Sequence, residues 1–200
     1  MLLDLAGTSI RHNLRKMKYI AIILLAWIGM NQAGQDIYVS KNAKVSLYSS
    51  APIEDIKAAT SSGGSVFNPA TDELDFSVNI KSFTFEKELM QEHFNSDYME
   101  SDKFPKATFK GKIQSHVDVT KDGTYPISVA GDLTVHGVTQ KRTIPGTLSV
   151  KGGVISMTSE FMVKCADHHI SIPQIVFHNI AESIKINVSA TYIPYKSPTK

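Results

Sequence analysis

The chain has a single cysteine, Cys165, in 200 residues. No intramolecular disulfide can form, so the fold must rest on its apolar core. It holds one tryptophan, and 21 basic against 19 acidic residues give a formal charge of only +2. Arg11, Arg15, Lys16 and Lys18 against Asp4 place +3 in the first 34 residues, which leaves about −1 for the rest. Such a body lacks the basic face that nucleic acid demands. The chain contains no G-x-S-x-G and no H-E-x-x-H motif, and no catalytic residues are expected. The apolar run from Tyr19 to Met30 has 12 residues, fewer than the roughly 20 that cross a bilayer.

What is present begins with that run. Lys18 precedes it, Ala33 and Gly34 follow it, and Gln35-Asp36 are polar. A basic flank, a short apolar centre and a small-residue exit make a secretory signal over residues 1–34. Met17 is the better start, because the basic flank sits directly behind it. The mature domain is expected over 35–200, in the periplasm or secreted.

Beyond residue 40 a period of two dominates. Phe76, Val78 and Ile80 alternate with Ser77 and Asn79, and Ala107, Phe109, Gly111 and Ile113 with Thr108, Lys110 and Lys112. Ile127, Val129, Gly131 and Leu133 form a third such run, and Ile184, Ile186, Val188, Ala190 and Tyr192 a fourth. Alternation of this kind marks strands with one buried and one wet face. Strands are expected at 43–49, 62–68, 74–83, 106–119, 124–135, 140–150, 154–165 and 182–193. Asn68–Asp72, Asp122-Gly123, His136-Gly137 and Lys151-Gly152-Gly153 supply turn chemistry between them. Pro126 and Pro145 are expected near strand starts or edges, where a missing N–H is tolerated. The segment Glu86–Asn95 reads as one short helix, and 50–60 as either a helical turn or part of a strand. The fold class is all-β: eight long antiparallel strands closed into a barrel, with the helix near 86–95.

A closed eight-strand barrel is either filled by side chains or holds one small ligand. Large inward residues mixed with Ala107, Gly111, Gly131 and Ala190 leave room, although periodicity alone does not decide between the two. A long alkyl or prenyl chain suits such an interior, since burial is worth about 0.8 kcal/mol per CH₂. The expected lining is Phe76, Val78, Ile80, Phe109, Ile127, Val129, Leu133, Phe161, Val163, Ile184 and Ile186. Met90 and Phe94 on the helix are expected to pack on the barrel and to serve as a lid.

Two motifs add to this. Phe104-Pro105-Lys106-Ala107-Thr108-Phe109 and Gly131-Asp132-Leu133-Thr134-Val135-His136-Gly137-Val138-Thr139 resemble the YceI-like family of exported, polyisoprenoid-binding proteins, over roughly residues 37–195. The resemblance implies an extended lipocalin-like barrel with a helix over one mouth and an isoprenoid or amide-type lipid inside. The expected function is a non-enzymatic lipid carrier or buffer; the alternative is a ligand-free interaction or stress-response domain with a filled core. The expected partners are the apolar lipid and, transiently, a membrane, with the chain a monomer or homodimer. No cofactor is expected apart from the lipid. His168, His169 and His178 gather late in the chain. Adjacent strand residues face opposite ways, so they are not expected to form a metal site.

Overall fold

A computed structural model describes residues 37–50, 55–172 and 181–195. The expected signal segment 1–34, the start at Met17 and His178 lie outside the described residues.

Nine strands are described: β1 (Tyr38–Ser49), β2 (Ile56–Asn68), β3 (Glu73–Asn79), β4 (Thr84–Phe85), β5 (Lys106–Ile113), β6 (Gly123–Val135), β7 (Val138–Lys151), β8 (Val154–Lys164) and β9 (Ser183–Pro194). Eight of them ring the barrel in the order β1-β9-β8-β7-β6-β5-β3-β2, and the β1–β2 pairing closes it. Every pairing is antiparallel. The ninth strand, β4, pairs with Ala58–Ala59 at the part of β2's edge that β3 leaves free, since β3 takes only Gly64–Asn68. Closure pairs each of the eight strands with a neighbour on both sides.

The alternation explains which faces pack. In β6, Ile127, Val129 and Leu133 are buried while Thr124 and Asp132 are exposed. The β6–β7 hairpin turns on two residues, His136 (φ 49°) and Gly137 (φ 71°), both left-handed as a type I′ turn requires. A Cβ on Gly137 would sit 2.5 Å from the Phe104 ring, so space as well as backbone angle demands glycine.

Several expected boundaries differ. The strand expected at 74–83 ends at Asn79, whose side chain caps a 3-10 turn, Ile80–Ser82. The strand expected at 106–119 ends at Ile113, and Val117 enters the core from a loop. Asp122-Gly123 is not a hairpin: Gly123 opens β6, and the Asp122 carboxylate accepts the Gly152 N–H of the next turn at 2.9 Å. The helix is shorter than expected, α1 (Glu88–His93), and continues as a π-turn over Phe94–Tyr98. Of the ambiguous 50–60, Ile56–Thr60 are strand and 51–54 lie outside the described residues.

Two apolar clusters fill the barrel's ends. One gathers Phe67, Leu148, Ile155 and Tyr192 where β1 begins and β9 finishes. The other gathers Val45, Leu47, Val78, Phe83 and Phe85 at the helix end. A helix of six residues has no stability of its own. Met90 and Phe94 hold it by packing on the second cluster, while Leu89 stays exposed.

Candidate binding cavity

Between the two clusters the inner faces leave a cavity of about 210 Å³. It is walled by apolar side chains with Thr108, Thr158, Ser159 and the Tyr192 ring among them, and among the described residues no charged one borders it. Cross-strand registers build the wall in rows. Leu47, Ile186 and Phe161 sit side by side on β1, β9 and β8, and Phe76, Phe109 and Leu133 on β3, β5 and β6.

All eleven residues expected to line the interior border this cavity: Phe76, Val78, Ile80, Phe109, Ile127, Val129, Leu133, Phe161, Val163, Ile184 and Ile186. Ile80 reaches it from the 3-10 turn rather than from a strand. Of the two helix residues, Phe94 borders the cavity and Met90 does not. Met90 instead backs the cluster that carries Phe94, whose ring lies 4.9 Å from Phe85 and 5.9 Å from Phe83. Reasoning from sequence missed Val45 and Leu47, although their alternation in β1 marks them as inward. It also missed Ile144 and Met157, which carry the same signal. Cys165 borders the cavity from a 3-10 turn, and burial pushes its thiol up, away from the reactive thiolate.

The helix end is tied by polar contacts. The His136 ring lies between the His168 carbonyl, 3.1 Å from Nδ1, and the Glu100 carboxylate, 2.9 Å from Nε2. Both partners are acceptors, so the ring donates from whichever nitrogen carries a proton. The edge of Phe104 completes its enclosure, with ring centres 4.5 Å apart. His168 is fully buried and bonds the Val138 carbonyl through Nδ1 at 3.0 Å. Its neighbour His169 takes a left-handed backbone (φ 55°) and is exposed, so the pair does not converge. Among the described residues no group of three or more His, Cys, Asp or Glu side chains is placed to hold a metal ion.

The opposite end is closed by Tyr192. Its hydroxyl bonds Ser65 Oγ at 2.8 Å, and Ser65 in turn donates to the Asp75 carbonyl at 2.8 Å. The ring stands edge-on to Phe67 at 6.3 Å. Burial pushes the Tyr192 phenol up to about 12, partly offset by the Ser65 bond. An acid held neutral in the folded state stabilises it fully below its ordinary value of 10, and this contribution falls away as pH rises towards 12. Two units correspond to about 3 kcal/mol. Urea melts at pH 8 and pH 11.5 should therefore show a loss in the wild type that Tyr192→Phe largely lacks. At pH 8 the same variant should cost only about 1 kcal/mol, the worth of one hydrogen bond. Equal alkaline losses in both proteins would refute this account of Tyr192.

The sequence pattern of the YceI-like domain matches residues 39–192. The chain belongs to the YceI-like domain family. Among curated relatives, Protein YceI of Shigella flexneri is 33% identical over 86 residues, 42% of this chain and 42% of that protein. Protein YceI of Escherichia coli O157:H7 matches to the same extent. The match thus spans about two fifths of the length of these relatives. Among solved structures, a polyisoprenoid binding domain from Saccharophagus degradans, implicated in plant cell wall breakdown, superposes with a TM-score of 0.68 at 12% identity. The superposition covers 79% of this chain and 98% of that one. BcnA of Burkholderia cenocepacia gives 0.63 at 18% identity, covering 74% and 95%. At such identities these neighbours speak for the YceI-like fold, and the chemistry of this cavity rests on its own residues.

Proposed function

We propose that this YceI-like chain is an exported lipid-binding protein that holds one long apolar molecule of isoprenoid type inside its barrel, as a carrier or buffer and not as a catalyst. The observation that carries the reading is the cavity of about 210 Å³ with no charged residue among the described residues of its wall. An uncharged, mostly hydrocarbon wall rewards a hydrocarbon chain for every methylene it buries and asks for no polar partner. Family membership and the polyisoprenoid binding domain among its structural neighbours support the isoprenoid class. The basic flank and apolar run at residues 17–34 support export, with the mature chain starting near Gln35. A carrier of this kind meets a membrane only while loading or unloading.

Organic-solvent extracts of the purified protein, read by mass spectrometry, test this. One lipid per chain is expected, together with an N-terminus near Gln35. Extracts free of lipid from several preparations would rule the carrier out.

Phe94 is the lid in this reading, and Met90 its support. The double variant Met90→Ala, Phe94→Ala removes the ring that covers the cavity and the side chain behind it. Lipid retained through gel filtration should fall at least about fivefold, roughly 1 kcal/mol of retention. Undiminished retention would show that the helix merely packs.

A further inference from the structure

Between β7 and β8 the barrel wall is held by a backbone ladder over only a short run. The β7–β8 ladder runs only from Lys151–Val154 to Thr147–Thr158. Both strands continue well beyond it, β7 back to Val138 and β8 on to Lys164. Their other edges are laddered along almost their whole length, β7 to β6 and β8 to β9. The break begins at Pro145. Its carbonyl faces β8, where it accepts Ser159 Oγ at 2.6 Å, so the N–H that proline lacks is missing from that same edge.

Side chains replace the absent ladder. Besides Ser159, Arg142 donates to the Met162 carbonyl at 2.8 Å and Gln140 to the Asp167 carbonyl at 2.7 Å. Arg142 and Gln140 fall on the inward phase of β7, yet both bond across to backbone carbonyls on the β8 side. Three side-chain bonds can be released and remade one at a time, which a continuous ladder cannot. The cavity reaches this seam from within, and a depression of about 740 Å³ reaches it from outside. Pro145, Gly146, Thr158 and Ser159 border both. At the Tyr192 end, by contrast, Phe67, Leu148 and Ile155 are fully buried, and passage there would have to unpack them.

We propose that, with Phe94 covering the mouth at the helix end, the seam between β7 and β8 is the port of the cavity: a single-chain apolar ligand passes sideways through the wall when the Ser159, Arg142 and Gln140 bonds let go. This rests on the lipid-binding reading above. It adds a route, and it assigns Arg142 and Gln140 a latching role.

The geometry supplies its own test. A Cβ built on Gly146 lies 3.7 Å from Ser159 Cβ and 2.9 Å from the Thr158 carbonyl oxygen, so the backbone must give by a few tenths of an ångström to admit it. The Cβ–Cβ distance falls within the roughly 3.5–4.5 Å that disulfides span. Gly146→Cys with Ser159→Cys, in a Cys165→Ala background, would pin the seam at its base in the oxidised form and free it in the reduced form. The whole chain is loaded with retinol, a fluorescent isoprenoid, and mixed with phosphatidylcholine vesicles. Release and uptake should both be at least tenfold slower when oxidised, and a reductant should restore both. Equal release rates in the two states would overturn the port. Should the cysteine pair fail to fold, Arg142→Ala alone should speed release at least threefold, and an unchanged rate overturns the port equally. A wild type that takes up no retinol removes the lipid-binding reading itself, and the port with it.

Discussion

Gly131→Ala should remove a large share of the fold's stability. A Cβ at this position would lie 2.2 Å from the Lys110 carbonyl oxygen, 2.5 Å from Gly111 Cα and 2.8 Å from Lys110 C. All three are backbone atoms of β5, so no side chain can swing aside. Gly131 and Gly111 face each other in the β5–β6 register, and the strands approach closely because neither carries a side chain. A methyl group would force apart a ladder that runs from Thr108–Thr134 to Ile113–Val129. The expected loss is about 4 kcal/mol or more, a large share of the roughly 5–15 kcal/mol that holds a domain together. Gly64→Ala is the matched control. It is also a strand glycine, its φ is not left-handed, and nothing lies within 4 Å of its built Cβ. It should be neutral or gain a few tenths of a kcal/mol by narrowing the unfolded ensemble. Thermal melts of the two variants decide the matter. A Gly131→Ala protein that melts within about 4 °C of wild type, some 1 kcal/mol for a chain of this size, means the close approach has been misread.

The same glycine shows what a sequence can and cannot disclose. That Gly131 faces inward follows from its phase between Val129 and Leu133. That it lies against another glycine requires the register, which alternation does not carry. Periodicity reports which side of a strand is dry. Hence β6 and β9 fall within one residue of their expected spans, and the eleven expected lining residues all face one space. Periodicity does not report where the hydrogen-bond ladder stops. Ile80 keeps the phase of Phe76 and Val78 although Asn79 has already capped a turn. Val117 and Val119 likewise keep alternating after β5 has ended at Ile113 and pack on the core from outside the sheet. Asp122-Gly123 has hairpin chemistry, yet its carboxylate serves the neighbouring turn at Gly152. The two-residue β4 is too short to have a period at all. Pro145 was legible as an edge residue, but which edge depended on where the β7–β8 ladder stops.

Whether the cavity is the binding site is best asked by filling it. Ala107 borders it from β5, opposite Val78, and its side chain is the smallest that leaves a methyl on the wall. Ala107→Trp would send an indole into a space of about 210 Å³, among Val78, Phe94 and Phe109. Apolar surface already dry stays dry, and a cavity filled by an apolar ring tends to gain stability, commonly about 0.5–2 kcal/mol. Any strain from fitting a large ring works the other way, by about 1–3 kcal/mol. Stability is therefore expected to change little, while binding changes greatly. The bound chain and the indole compete for the same volume, and loss of most methylene contacts at about 0.8 kcal/mol each leaves no measurable affinity. Lipid in solvent extracts should fall from about one per chain to a trace, with urea midpoints near that of the wild type. This pairing separates the two sides of the reading. Lost stability together with lost lipid would say only that the barrel had been damaged. Full lipid occupancy in a folded Ala107→Trp protein would mean that the hydrocarbon lies somewhere other than between these strands.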